Sequence, residues 1–169
     1  MTETLGRTLV IGLGNQLMGD DGIGLTALEE LVTGWEVGGV ELVDGGTWGM
    51  NLLPLIESAD TVILLDAIHL GRAPGTVIEL DGDAVPRRLA AKLSPHQIDL
   101  GEVLALAALR ETLPRRLVAI GIQPAEVEMS TALTPAVAAA MPLMLQRVAE
   151  RLEAIGCRCA PVVAAGCTS

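Results

Sequence analysis

Short apolar runs alternate along this chain with segments whose apolar residues recur at helical spacing, and this alternation restricts the fold more than any single motif. Thr8–Leu13 (TLVIGL) is a β-branched run ending at glycines, as a buried strand would. From Asp21 the period changes, and Ile23, Ala27, Leu28, Leu31 and Val32 fall on one helical face. Residues 40–43 read as a second strand followed by the turn DGGTWG, residues 51–58 as a short helix, and Thr61–Ala67 (TVILLDA) as the clearest buried strand. Residues 75–80 (GTVIEL) form a strand reached without a helix, so it is expected to run antiparallel to its predecessor. A polar connection leads to a helix over residues 99–112, facing inward with Leu100, Val103, Leu104 and Ala107, and then to a last strand at 117–122 (LVAIGI). Thr134 and Pro135 make an N-cap and N1 pair for a long stripe from Val137 to Ile155, which Pro142 is expected to kink or restart. Such alternation predicts an α/β sandwich around a mostly parallel sheet, and ligands in such folds bind beyond the carboxyl ends of the strands.

Composition sets the remaining limits. At 169 residues and 50% apolar content the chain fits one domain with a sizeable core. With two Trp, no Phe and no Tyr, that core must be aliphatic, which argues against aromatic base-stacking platforms. A formal net charge of −10 opposes attraction to nucleic acid or anionic lipid and suits cations, metals or basic peptides. The start MTETLGRT has no basic region followed by an apolar stretch, so a cytoplasmic protein is expected. The uncharged stretch 129–146 is broken by Pro135 and Pro142, and no membrane insertion is expected. Cys157, Cys159 and Cys167 lie beyond the periodic segments, without the paired CxxC spacing of zinc sites. The expectation is a single α/β domain over residues 1–156 and a mobile tail of unpaired thiols over 157–169.

The first strand runs into GLGNQLMGDDG, whose Gly14 and Gly19 have the spacing of a phosphate loop. A nucleotide loop would continue with Lys and Ser or Thr; here Asp20 and Asp21 follow, and two carboxylates repel phosphate. The dinucleotide pattern fails as well, because its third glycine would fall at Leu17.

Three segments bring chemistry-bearing residues to one sheet edge. Asp21 lies beyond the first strand, Asp66 sits near the end of the third in LLDAI, and His96 in SPHQ precedes a helix leading back into a parallel strand. Two carboxylates and an imidazole make a three-ligand set for zinc, nickel or a similar divalent ion, with room for water or substrate. Asp21 can equally be a helix cap. A carboxylate inside a buried strand costs several kcal/mol unless paired or metal-bound, so Asp66 argues for function most strongly. His96 can also be a helix-entry residue bonded to backbone. His69 competes with it as the third ligand, because Asp66 and His69 form a DxxH pair, but ranks second because the turn-like stretch Leu70, Gly71 and Arg72 that follows suits a solvated loop histidine. Asp44 falls on the same edge but also suits simple turn formation. The sequence shows no HExxH and no GxSxG.

The ordered motifs GLGNQLMGDDGIG, DGGTWGM, LLDAI, APGTV and SPHQ resemble those of the [NiFe]-hydrogenase maturation endopeptidases over residues 8–152. The resemblance implies a three-layer sandwich with a twisted five-stranded sheet, one strand antiparallel, and helices on both faces. It implies an enzyme that trims the C-terminal extension of a hydrogenase large-subunit precursor after nickel insertion. Matched motif by motif, the metal-contacting trio falls on Asp21, Asp66 and His96, while His69 has no counterpart. The acidic pair Asp20 and Asp21 is expected to present carboxylates to a cation, namely nickel carried by the substrate, with no tightly bound resident metal. A non-enzymatic nickel carrier or chaperone would use the same ligands. A peptidyl-tRNA hydrolase-like esterase would share a related fold but must bind RNA, which the net charge opposes.

Overall fold

The computed structural model describes residues 6–46, 48–89, 100–125 and 127–163. The main sheet holds five strands: β1 (Thr8–Leu13), β3 (Glu41–Gly46), β4 (Thr61–Ala67), β5 (Val77–Asp81) and β6 (Arg116–Ile122). Their spatial order is β3-β1-β4-β6-β5, with every pairing parallel except β5 against β6. The strand expected to be antiparallel is therefore so, but it pairs at the edge with β6 and not with its sequence predecessor.

The period of two in the central strands explains the layers. Val10, Ile63, Leu65, Ile120 and Ile122 face one core with α1 (Ile23–Gly34) and α5 (Pro135–Ala154). Leu9, Ile11, Val62, Leu64 and Ala119 face the other, with α2 (Leu53–Glu57), α3 (Ala84–Leu89) and α4 (Leu100–Leu109). Helices thus cover both faces of a sheet whose inner strands β1 and β4 are buried throughout.

Several local expectations need correction. Val32 lies off the buried face of α1 and is exposed. The short helix expected at 51–58 is a 3₁₀ turn, Gly49–Leu52, running into α2. The polar connection after β5 contains α3, whose Val85 is buried. Pro142 does not restart α5, which runs unbroken across it. Pro142 and Ala138, whose carbonyl loses its donor, are both exposed, so water can satisfy that oxygen.

The boundary after Gly156 is also overturned in its first part. Residues Arg158–Pro161 form β7, which pairs antiparallel with β2 (Trp35–Gly38) in a second, two-stranded sheet. Cys157 and Cys159 are buried there, packed in the core beneath α5. The signal was missed because strands of four residues are too short to show a period, and their partners stand more than a hundred residues apart. Cys167 lies outside the described residues. Among the described residues, no helix is long and apolar enough to cross a membrane.

Candidate active site

The glycine loop leaves β1 through Gly14, which has φ 112°. A Cβ at Gly14 would collide with the carbonyl oxygen of Asp21, so the loop closes on itself only with glycine there. The Gly14 amide donates to Gly46 O at 3.0 Å and ties the loop to the end of β3. Gly24, in the first turn of α1, packs so closely on the carbonyl oxygens of Leu13 and Leu65 that a side chain could not fit. The start of α1, with the preceding 3₁₀ turn Gly19–Gly22, therefore sits on the carboxyl ends of β1 and β4.

That turn separates the two aspartates. Asp20 is fully buried, and its carboxylate accepts hydrogen bonds from Ala125 N at 2.9 Å, Thr134 N at 2.8 Å and Thr134 Oγ1 at 2.8 Å. The expectation that both aspartates face a cation is thus corrected: Asp20 turns inward and fastens two distant segments. Thr134 precedes α5 as expected, but its hydroxyl serves Asp20 and does not cap its own helix. Asp21 stays half-buried, and its Oδ2 accepts the Asn15 amide at 3.0 Å. Gly22, not Asp21, occupies the cap position of α1, and no side chain caps it. The capping alternative for Asp21 therefore finds no support.

Asp66 is the penultimate residue of β4 and is 3% exposed. Its Oδ1 accepts the Ala67 amide at 2.8 Å, which fixes the orientation of the carboxylate at the strand end. Asp44 is exposed at the end of β3, in register with Gly12. His69 is exposed on the loop after β4. His96 lies outside the described residues. The structure thus brings Asp21 and Asp66 to one edge, two of the three expected ligands. Among the described residues, no group of three or more His, Cys, Asp or Glu side chains is placed to hold a metal.

Gln123 was not anticipated. Buried just past β6, it accepts the backbone amides of Leu70 at 2.8 Å and Arg72 at 3.2 Å through its side-chain Oε1, and its backbone amide donates to Thr76 O at 2.8 Å. It shapes the loop that follows Asp66. The available signal was a single amide side chain ending the apolar run LVAIGI immediately before a proline.

Comparison with known proteins decides the family. The HycI model, described as hydrogenase maturation protease, matches residues 26–151. The chain belongs to the hydrogenase maturation protease family. Proteases of this family are peptide-bond hydrolases. The Escherichia coli (strain K12) hydrogenase 2 maturation protease is 36% identical over 157 residues, covering 92% of this chain and 96% of that protein. The hydrogenase expression/formation protein HupM of Azotobacter chroococcum mcd 1 is 39% identical, covering 87% of this chain and 76% of its own length. HupD of Thiocapsa roseopersicina is 43% identical over 122 residues, 71% of this chain, and the match spans 55% of that relative's length. In structure, the hydrogenase maturating endopeptidase HybD of E. coli superposes with a TM-score of 0.86 at 36% identity, over 92% of this chain and 97% of that one. A [NiFe] hydrogenase maturation protease from Thermococcus kodakarensis gives 0.66 at 29% identity, over 86% and 98%. The three-layer fold of this family member, with its one antiparallel strand, thus matches that of solved proteases.

Proposed function

We propose that this maturation protease removes the C-terminal extension of a [NiFe]-hydrogenase large-subunit precursor after nickel insertion, reading the substrate-borne nickel through Asp21, Asp66 and His96. The observation that carries the proposal is the pair of carboxylates on one sheet edge, Asp66 at the end of β4 and Asp21 on the turn that sits on the ends of β1 and β4, each accepting a backbone amide, in a chain of the maturation protease family. Carboxylate oxygens and an imidazole suit a divalent ion such as nickel but lack the soft thiolates and fourth ligand of a closed structural site. Nickel therefore enters as part of the substrate, and the protein holds no tightly bound metal of its own. Thiolates of the precursor complete the coordination. Shared in this way, the ion holds the scissile segment against the sheet edge, so recognition and positioning become one event. The ion can polarise the scissile carbonyl or activate the attacking water.

The test incubates the protein with nickel-loaded precursor, nickel-free precursor and a short peptide spanning the cleavage site, weighs the products, and measures the protein's metal content. Cleavage of the loaded precursor alone, by a protein largely free of metal, is expected. Equal cleavage of all three, or a stoichiometric metal required in the protein, would show a self-sufficient metalloprotease. Binding of the loaded precursor without any mass change would return the carrier reading. A cytoplasmic location belongs to the same proposal and is checked by cell fractionation.

A further inference from the structure

Three loops framing the candidate site expose large apolar side chains although each loop is fastened to the fold. Leu17 on the glycine loop is 63% exposed, Trp48 after β3 is 53% exposed, and Met129 after β6 is 89% exposed, with Val127 and Met50 beside them in sequence. The segment after β6 has to pass the carboxyl end of β4, because β4 lies between β6 and β1 and the segment pairs with the loop leaving β1. Ser130 N donates to Leu17 O at 3.0 Å, Gly19 N donates to Ser130 O at 2.7 Å, and Met18 and Ser130 form a parallel bridge. Leu17 and Met129 are therefore lateral neighbours across that bridge. Asp20 pins the same segment at Ala125 and Thr134. On the other flank, the bond from Gly14 N to Gly46 O holds the turn that carries Trp48.

An exposed methionine on a loop fastened this way adds nothing to the core, and grouped apolar side chains on a soluble surface mark contact sites. Charge narrows the partner. Asp44 and Glu128 are exposed among these residues and Asp21 is half-exposed, against Arg72 on the loop after β4. A second copy would bring the same acidic rim and be repelled, and an anionic lipid surface would be repelled likewise.

We propose that Leu17, Trp48 and Met129 form a docking rim for a substrate polypeptide segment that carries apolar side chains together with Lys or Arg, laid across the end of β4 beside Asp66. This rests on the protease reading and adds how the macromolecular substrate is held. Apolar contacts supply the affinity, and the acidic residues supply attraction and register.

The test compares the wild type with the double variant Leu17→Ser, Met129→Ser, with Glu128→Lys, and with Val32→Ser as a control on the remote end of α1. Binding of nickel-loaded precursor is followed by tryptophan fluorescence, since Trp48 is exposed, and cleavage by mass spectrometry. The double variant should raise Kd and KM by roughly tenfold or more while kcat stays within about twofold. Glu128→Lys should raise KM and flatten its salt dependence. Val32→Ser should match the wild type. Unchanged Kd and KM in the double variant, or a fall in kcat at unchanged KM, would overturn the rim. A wild-type dimer that the double variant dissolves would overturn it in favour of self-association. Wild type that binds precursor through the rim without cutting it would refute the protease reading while leaving the rim in place, whereas cleavage with rim variants that bind as well as wild type would remove the rim alone.

Discussion

The two edges of the main sheet handle charge differently. At the amino edge, before β1, Arg7 clasps Glu41 through two bonds of 2.9 Å, and both side chains are well exposed. The guanidinium holds the Glu41 carboxyl below its ordinary range, chiefly through the hydrogen bond. At the carboxyl edge, Asp20, Asp21 and Asp66 each accept a backbone amide. An arginine neutralises the charge it holds, whereas an amide fixes a carboxylate in place and leaves its net charge. The first arrangement closes off a surface. The second orients the carboxylates, and in our proposal Asp21 and Asp66 meet the substrate-borne nickel in that orientation.

Substitutions at the carboxyl edge should have the largest effects. Asp66→Asn retains Oδ1 for the Ala67 amide and removes the charge, so precursor cleavage should fall by roughly a thousandfold or more with circular dichroism unchanged. His96→Ala should do the same and His69→Ala should cleave normally. Asp21→Lys should be inactive, because it sets a cation beside the metal, while Asp21→Glu keeps a hard oxygen ligand and should retain most activity. Normal processing by a folded Asp66→Asn variant would erase the distinction between the edges.

Asp20 sharpens the comparison within one edge. Asp20→Ala removes a fully buried acceptor and leaves two part-buried amides and a hydroxyl without it, and should cost about 2–4 kcal/mol of stability in chemical denaturation. Asp21→Ala should cost under about 1 kcal/mol in the same assay, because it gives up one amide contact at a half-exposed site. Equal losses would mean that both aspartates serve the same structural role.

A smaller effect is expected in β7, away from the edges. Burial, with repulsion from Glu153 and Cys157, pushes the Cys159 thiol up from 9.0 to about 11. Its folded value is raised, so the neutral thiol's contribution to stability is whole below pH 9 and declines as pH rises toward 11. Melting midpoints for wild type and Cys159→Ala should converge over that window, and a constant difference would show that the thiol does not titrate there. The smallest effect belongs to the amino edge: Arg7→Met should leave cleavage unchanged and the melting midpoint nearly so, since exposed ion pairs contribute little.

Much of the architecture was legible because local patterns and tertiary needs agree. The runs at β1 and β4 carry enough consecutive apolar residues to have no other stable place than a sheet interior, and the spacing of Ile23, Ala27, Leu28 and Leu31 suits one helix face. Asp66 was legible for the same reason, as a carboxylate in a run that tolerates no unpaired charge. Sequence by itself therefore determined the α/β class, the edge at which Asp21 and Asp66 stand, and the family motifs. Tertiary structure decided what pairs across distance: that Asp20 turns inward to Ala125 and Thr134, that Gln123 organises the loop after Asp66, and that β7 joins β2 and buries Cys157 and Cys159. Adjacent residues in a 3₁₀ turn point about 120° apart, so DD has no inward and outward member until distant chain supplies donors on one side.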